Sequence, residues 1–298
     1  MNTSSTEEKS LHRLSTETRA KLRSTQILTS LPQIVSELLQ NSLDAGARHV
    51  EIGVDCQEWN CWVKDDGAGI SKDDLTMLGA GSEGRYGTSK AYNMTSLESV
   101  STFGFRGEAL ASAADLSCLE ISSRTSGSRE SWSVILKGGK SLYTGPSIRW
   151  RRESHGTVVC IRDAFFNLPI RRLSHPSPHR TIETIRQEVE TYAFVFPHVS
   201  FSLEDTSKAK ENHPAKGQLL RIPKVSNTSS TLTAFRHLYG RALTEHVEEI
   251  NNEMEELKLE GFISLVGAHS KVKSCYTVHH QLLISASHTN FYVLLLLA

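Results

Sequence analysis

Apolar residues recur at helical spacing between Ser30 and Ala47, where Ile34, Val35, Leu38, Leu39 and Leu43 form one stripe. Ser30 with Gln33 reads as a capping box, Pro32 lies in the first turn, and Gly46 falls just past the end. Period-two alternation follows at His49–Asp55, where Val50, Ile52 and Val54 face one side of a half-buried strand. A turn at Gln57–Asn60 leads to a second strand over Cys61–Lys64, and Ser71 caps a short helix to Leu78. Further strands are expected at Ser117–Arg124, Ser131–Lys137, Ser141–Thr144, Thr157–Asp163 and Val199–Glu204, with an amphipathic helix over Thr181–Phe196. Helices alternate with antiparallel strands in the order of an α+β two-layer sandwich.

Residues 1–10 read as a disordered tail, and residues 11–205 as the main domain, with a helix starting near Ser15. The polar stretch 206–230, rich in Ser, Thr, Asn and Lys, reads as a linker or long loop. Residues 231–298 read as an incomplete second α/β domain, with a helix at Leu232–Tyr239 and a strand at Leu257–Val266. From Ser270 the pattern has no cap, turn or period that closes a domain, so a truncated product or a foreign tail is expected there.

Lys plus Arg and Asp plus Glu are 33 each, so no global charge points to nucleic acid or membrane, although a local basic patch survives such averaging. The five cysteines form no CxxC pair and are odd in number, against both a zinc site and a disulfide framework and in favour of a reducing compartment. The polar, partly acidic N-terminus does not read as a signal peptide. The apolar run Phe291–Leu297 is shorter than the ~20 residues that span a bilayer.

Four features carry chemistry. Glu37, Asn41 and Asp44 share one side of the Ser30–Ala47 helix. A carboxamide such as Asn41 suits an octahedral Mg²⁺ bridging phosphates, and Glu37, one turn away, can orient and deprotonate a water. Asp65-x-Gly67-x-Gly69 ends a strand, where a carboxylate can accept an exocyclic amine and glycines let a flat ring approach the backbone. The glycine-rich segment through Thr88, Ser89 and Lys90 to GFRGEAL offers main-chain N–H groups and a positive charge to an anion. Gly156-Thr157 sets a small hydroxyl at a strand start, within reach of an adenine. Singly, these describe a solvated helix face, a tight turn and close helix packing just as well. Together they describe a nucleotide pocket, and no GxxxxGK[ST] loop or kinase motif set competes for that role.

Taken in order, these residues resemble the GHKL ATPase superfamily of DNA gyrase B, heat-shock chaperones, sensor histidine kinases and MutL. ELLQNSLDAGA, DDGAGI, GTSK and GFRGEALASAADL are similar to MutL mismatch-repair proteins. AKLRSTQILTSLPQIVSELLQNSLDA and DAFFNLPIRR resemble the third eukaryotic MutL homologue, the MutL-gamma subunit, over roughly residues 12–205. The resemblance implies the GHKL (Bergerat) sandwich and slow ATP hydrolysis, with Glu37 as general base and Asn41 as Mg²⁺ ligand. It implies Asp65 on the adenine amine, with Gly67 and Gly69 shaping the floor and Thr157 near the base. Thr88, Ser89 and Lys90 fall on a mobile lid, and Arg106, Gly107, Glu108, Ala109 and Leu110 on the phosphate cradle.

The resemblance also implies a nuclear protein that forms a heterodimer with another MutL homologue. It acts after a MutS-type mismatch recognition complex and, for this subtype, in meiotic recombination. DNA is met through its backbone, with Arg149, Arg151, Arg152, Arg171, Arg172 and Arg186 as candidates. Three departures stand out. Asp66 replaces the family's usual Asn, Gly79–Gly84 looks like a lid insertion, and no segment matches the second domain's phosphate-reaching lysine, for which Lys271 and Lys273 are poor fits. A module that binds nucleotide without turning it over is the alternative expectation.

Overall fold

The computed structural model describes residues 15–80, 108–207, 219–222, 231–241, 245, 247–254, 257–264, 280–283 and 290–293. Helices are α1 (Thr16–Ile27), α2 (Leu31–Asp44), α3 (Lys72–Gly79), α4 (Ala109–Leu116), α5 (Pro169–Ser174), α6 (Pro178–Val195) and α7 (Thr231–Tyr239). Strands are β1 (His49–Asp55), β2 (Asn60–Asp65), β3 (Cys118–Arg124), β4 (Trp132–Lys137), β5 (Lys140–Pro146), β6 (Gly156–Arg162), β7 (Ser200–Asp205) and β8 (Leu219–Ile222). Beyond them come β9 (Val247–Met254), β10 (Leu257–Ser264), β11 (His280–Leu283) and β12 (Asn290–Val293).

The first eight strands form one sheet, in the order β5-β4-β3-β6-β2-β1-β7-β8, antiparallel except for β1 with β7. Register aligns Ile52, Val63, Val159, Ile121 and Val134 in one apolar row across five strands, on the face where α2, α4 and α6 contribute to the core. One pleat further on, the row becomes polar, with Asp65, Thr157 and Ser123. The core therefore ends in a line of hydrogen-bonding groups at the edge of β2, β6 and β3.

Helix α2 buries Leu31, Ile34, Val35, Leu38 and Leu39, as its stripe requires. Its start uses half of the expected capping box. Ser30 accepts the Gln33 N–H at 3.3 Å, but the Gln33 side chain turns forward and donates to Glu37 Oε1 at 3.1 Å. Its end turns through Gly46 at φ 72°, where glycine fits best.

On the sheet's other face, Trp62 lies across Gly53, where a Cβ would come within 2.2 Å of the indole. Trp62 also meets Trp150 at 5.8 Å between ring centroids.

Strands β9, β11 and β12 lie where no strand is expected from the sequence, and two further elements depart from the sequence reading. The polar stretch 206–230 contains β8, which pairs with β7 along Phe201↔Ile222 to Glu204↔Leu219 and so extends the main sheet. The short helix α5 was not foreseen, because Leu168-Pro169 starts it without a side-chain cap and six residues are too few to show a period. Helix α7 packs on α6 through Phe194 and Phe235, 6.2 Å apart, joined by Ala234.

Candidate active site

The polar row centres on Asp65, 6% exposed at the end of β2. Its Oδ1 accepts the main-chain N–H of Gly67 at 2.9 Å and of Thr157 at 3.1 Å, and its Oδ2 accepts the Ser42 hydroxyl at 3.1 Å. Burial pushes this carboxyl above its ordinary value, and those three donors together with the Arg152 charge pull it partly back. The contacts leave Oδ2 with lone-pair capacity for one further donor. Thr157 Oγ1 lies 2.9 Å from Ser123 Oγ, which can donate to the Gly156 carbonyl at 3.1 Å and which accepts the Ile70 N–H at 2.7 Å.

The glycines around Asp65 are required by space and by backbone angle. At Gly67 a Cβ would stand 2.8 Å from Ala45 Cβ, because the 65–69 turn rests on the end of α2, where the Ala68 N–H reaches the Ala45 carbonyl at 2.9 Å. Gly69 has φ +80° and Gly156 φ +121°, with main-chain oxygens of Arg124 and Asp65 at 2.3 and 2.2 Å from where a Cβ would be. The DxGxG spacing is thus a close approach of three main-chain segments, which a side chain at any of these positions would push apart.

Helix α2 carries the next part. Ser42, which touches Asp65, follows Asn41 directly, and Glu37 lies one turn before Asn41. Glu37, Asn41 and Asp44 are all half-buried along this flank. The helix that fixes Asp65 therefore also presents the carboxylate and the carboxamide.

The third part is the start of α4. Glu108 stands at its N-cap position without a capping hydrogen bond, and Ala109 and Leu110 form the first turn. The Glu108 carboxylate, 9% exposed, instead pairs with Arg23 of α1 at 2.5 Å. Seven residues on, Asp115 accepts the Ser24 hydroxyl at 2.6 Å, so neighbouring residues in the last turns of α1 hold α4 at its start and its end. Thr88, Ser89, Lys90, Arg106, Gly107, Lys271 and Lys273 lie outside the described residues, as does the lid stretch beyond Ala80.

The basic candidates divide. Arg152 donates to the Asp65 carbonyl, Arg171 to the Leu28 carbonyl at 3.0 Å, and Arg186 pairs with Glu190 at 2.9 Å. Arg172 donates to Asp163 Oδ1 at 2.6 Å and to the Ala164 carbonyl at 2.8 Å, across a turn in which Asp163 and Phe165 have positive φ. The second arginine of DAFFNLPIRR, Arg172, therefore fastens a left-handed turn and the first, Arg171, ties to the chain before α2, while Arg149 and Arg151 are exposed. Asp66 accepts the N–H groups of Arg48 and His49 at 2.7 and 2.8 Å. Its carboxyl sits below the ordinary value because, against the effect of burial, the His49 ring and these N–H groups hold it ionised.

Sequence reasoning missed Ser42, Ser123 and His155, and gave Arg152 another role. Ser42 sits beside Asn41 and His155 beside Gly156-Thr157, so proximity to the motifs was the available signal. Serines in strands and helix interiors carry none of their own.

Residues 29–141 match the family described as histidine kinase-, DNA gyrase B-, and HSP90-like ATPase. The chain is 34% identical to human DNA mismatch repair protein Mlh3 over 91% of its own length and 18% of that protein. It is 42% identical to the Arabidopsis thaliana MLH3 over 65% of its length and 16% of that protein. The chain thus spans less than a fifth of these relatives. Among solved structures, the Aquifex aeolicus MutL ATPase domain complexed with ADP superposes with a TM-score of 0.57 at 20% identity, covering 91% of this chain and 93% of that one. With the Asp65–Thr157 pairing at the end of its sheet and the α2 flank beside it, this chain belongs to the MutL family and has the fold of a GHKL ATPase.

Proposed function

We propose that this chain is the ATP-binding and slowly hydrolysing N-terminal module of a MutL-type DNA mismatch repair protein. The observation that carries this reading is the bond from Ser42 to Asp65, which joins the base-recognition carboxylate to the helix bearing Glu37 and Asn41. Asp65 Oδ2 accepts the adenine amine, and the ring lies on the bare main chain at Gly67 and Gly69, with Thr157 beside it. Asn41 holds the metal ion and Glu37, oriented by Gln33, takes the proton of the attacking water. The donors fit magnesium, since one carboxamide with waters and phosphate oxygens makes an all-oxygen set. When bound, Mg²⁺ offsets the charge on the phosphates as they transfer. The phosphates fall to the segment Arg106, Gly107, Glu108, Ala109 and Leu110, and Thr88, Ser89 and Lys90 to the lid, as the MutL resemblance implies.

The wider setting follows the relatives named Mlh3. In this reading the protein is nuclear and pairs with another MutL homologue. It follows a MutS-type complex, meets the DNA backbone through exposed arginines such as Arg149 and Arg151, and serves meiotic recombination as well.

Equilibrium binding of ATP paired with single-turnover hydrolysis on this chain tests the proposal. Glu37→Ala is expected to bind as the parent does and to lose at least about a hundredfold in rate. Hydrolysis at the parent rate in Glu37→Ala would remove Glu37 as the base, and binding without turnover in the parent would make the chain a nucleotide-dependent interaction module.

A further inference from the structure

We propose that Arg152 and His155 are positioning residues for base recognition, which clamp the Asp65–Gly69 turn onto the start of β6 and so set where the Asp65 carboxylate meets a purine amine. This rests on the adenine-nucleotide reading above.

Arg152 is 8% exposed although charged. Its Nη2 donates to the main-chain carbonyls of Asp65 at 2.5 Å and of His155 at 3.2 Å. Its Nε finds no acceptor among the described residues, so the two carbonyls are what hold the group in place. The guanidinium thus sits on the backbone of Asp65 and leaves the carboxylate lone pairs unused. It favours the ionised acid electrostatically without competing for the ligand's donor.

Two peptides further on, His155 Nδ1 lies 2.8 Å from the Gly67 carbonyl. A carbonyl can only accept, so the ring carries its proton on Nδ1 and donates. The peptide planes after Asp65 and after Gly67 are therefore both fixed by one short loop from far along the chain. Since the Gly67 N–H in turn binds Asp65 Oδ1, fixing these planes fixes the carboxylate rotamer.

The loop itself is anchored. The Arg152 N–H donates to Ser131 Oγ at 2.8 Å, and Arg124 Nη1 donates to the carbonyls of Arg152 at 3.2 Å and Glu153 at 2.6 Å. Arg124 also supplies the carbonyl that crowds Gly69. Both ends of the DxGxG turn thus meet the same rigid support. A guanine offers a carbonyl where adenine offers the amine, and a well-held carboxylate repels it. Discrimination between the two bases should then depend on the clamp.

The test is titration of ADP and of GDP into the full chain and into Arg152→Met, Arg152→Lys and His155→Ala, with single-turnover ATP hydrolysis at saturation. Arg152→Met is expected to weaken ADP about tenfold and leave GDP unchanged, so that the ADP-to-GDP preference falls, with Arg152→Lys recovering part of it. His155→Ala, which loses one bond from an exposed ring, should give about a threefold loss with an unchanged melting temperature. The saturated hydrolysis rate should stay at the parent value in all three, as suits residues that do not touch the phosphates. If Arg152→Met does not fold, the other two variants carry the test. An unchanged ADP-to-GDP preference in Arg152→Lys and His155→Ala, with a parent that binds ADP, overturns the clamp alone. A parent that binds no adenine nucleotide overturns the functional reading and the clamp with it.

Discussion

The carboxylate of Asp65 accepts the main-chain N–H of Thr157 at 3.1 Å, linking the ends of two neighbouring strands whose residues stand 92 positions apart. On the proposed reading the bond serves the fold and the ligand at once, and the two roles separate on mutation. Asp65→Asn keeps an oxygen for the Gly67 and Thr157 N–H groups but turns an NH₂ toward Ser42 and the adenine amine. Nucleotide affinity should fall at least tenfold while thermal melting stays near the parent. Asp65→Ala leaves both N–H groups unpaired and should lose about 1–3 kcal/mol of stability as well as binding, read by chemical denaturation.

Gly156 faces a harder constraint. Its φ of +121° and the Asp65 oxygen 2.2 Å from a would-be Cβ leave no room for Ala. Gly156→Ala should cost about 2 kcal/mol or more, read as a lower denaturant midpoint with an unchanged slope.

Arg172 sits in a motif whose charge suggested DNA. Because its guanidinium is spent on Asp163 and Ala164 under the ring of Trp59, 5.3 Å away, Arg172→Ala should destabilise the chain by about 1–3 kcal/mol. The salt dependence of DNA binding should not change. Arg149→Ala with Arg151→Ala should do the reverse, lowering that slope at constant melting temperature.

Glu188 supplies a pH dependence. On α6, which packs against α2, burial pushes its carboxyl to about 7, against the pull of the Ser36 hydroxyl, and its Oε2 has no partner among the described residues. A carboxyl raised by folding prefers its neutral form in the native state. Its ionisation therefore costs stability from above the unfolded value of 4.5, and the cost is complete only beyond about 7. Glu188→Gln should melt like the parent near pH 4 and progressively higher than it between pH 5 and 7.5. A melting difference that does not vary with pH would refute the assignment.

What could be read ahead of the structure was what depends on local pattern. The α2 stripe, its Ser30 cap and the alternation of β1 follow from residue type and spacing, whereas DxGxG and Gly156-Thr157 are grouped only because the motifs occur together in one chain. The Gln33 side chain was misread because a capping box and an i,i+4 bond to Glu37 draw on the same amide. Strand β8 was hidden because an edge strand needs no apolar alternation to find hydrogen bonds. The arginines were the least legible. Charge alone does not say whether a guanidinium meets a phosphate or a buried carbonyl, and Arg152, Arg171 and Arg172 all meet carbonyls.

The place of β6 between β2 and β3 has an outcome for biogenesis. The strand that closes the proposed adenine site leaves the ribosome long after the two it separates, so on that proposal an emerging polypeptide shorter than about 157 residues should not hold a nucleotide. ADP would then act late, as a fastener on an already zipped centre. In hydrogen exchange it should slow the amides of β2 and β6 well ahead of those in β5 or β8 at the margins.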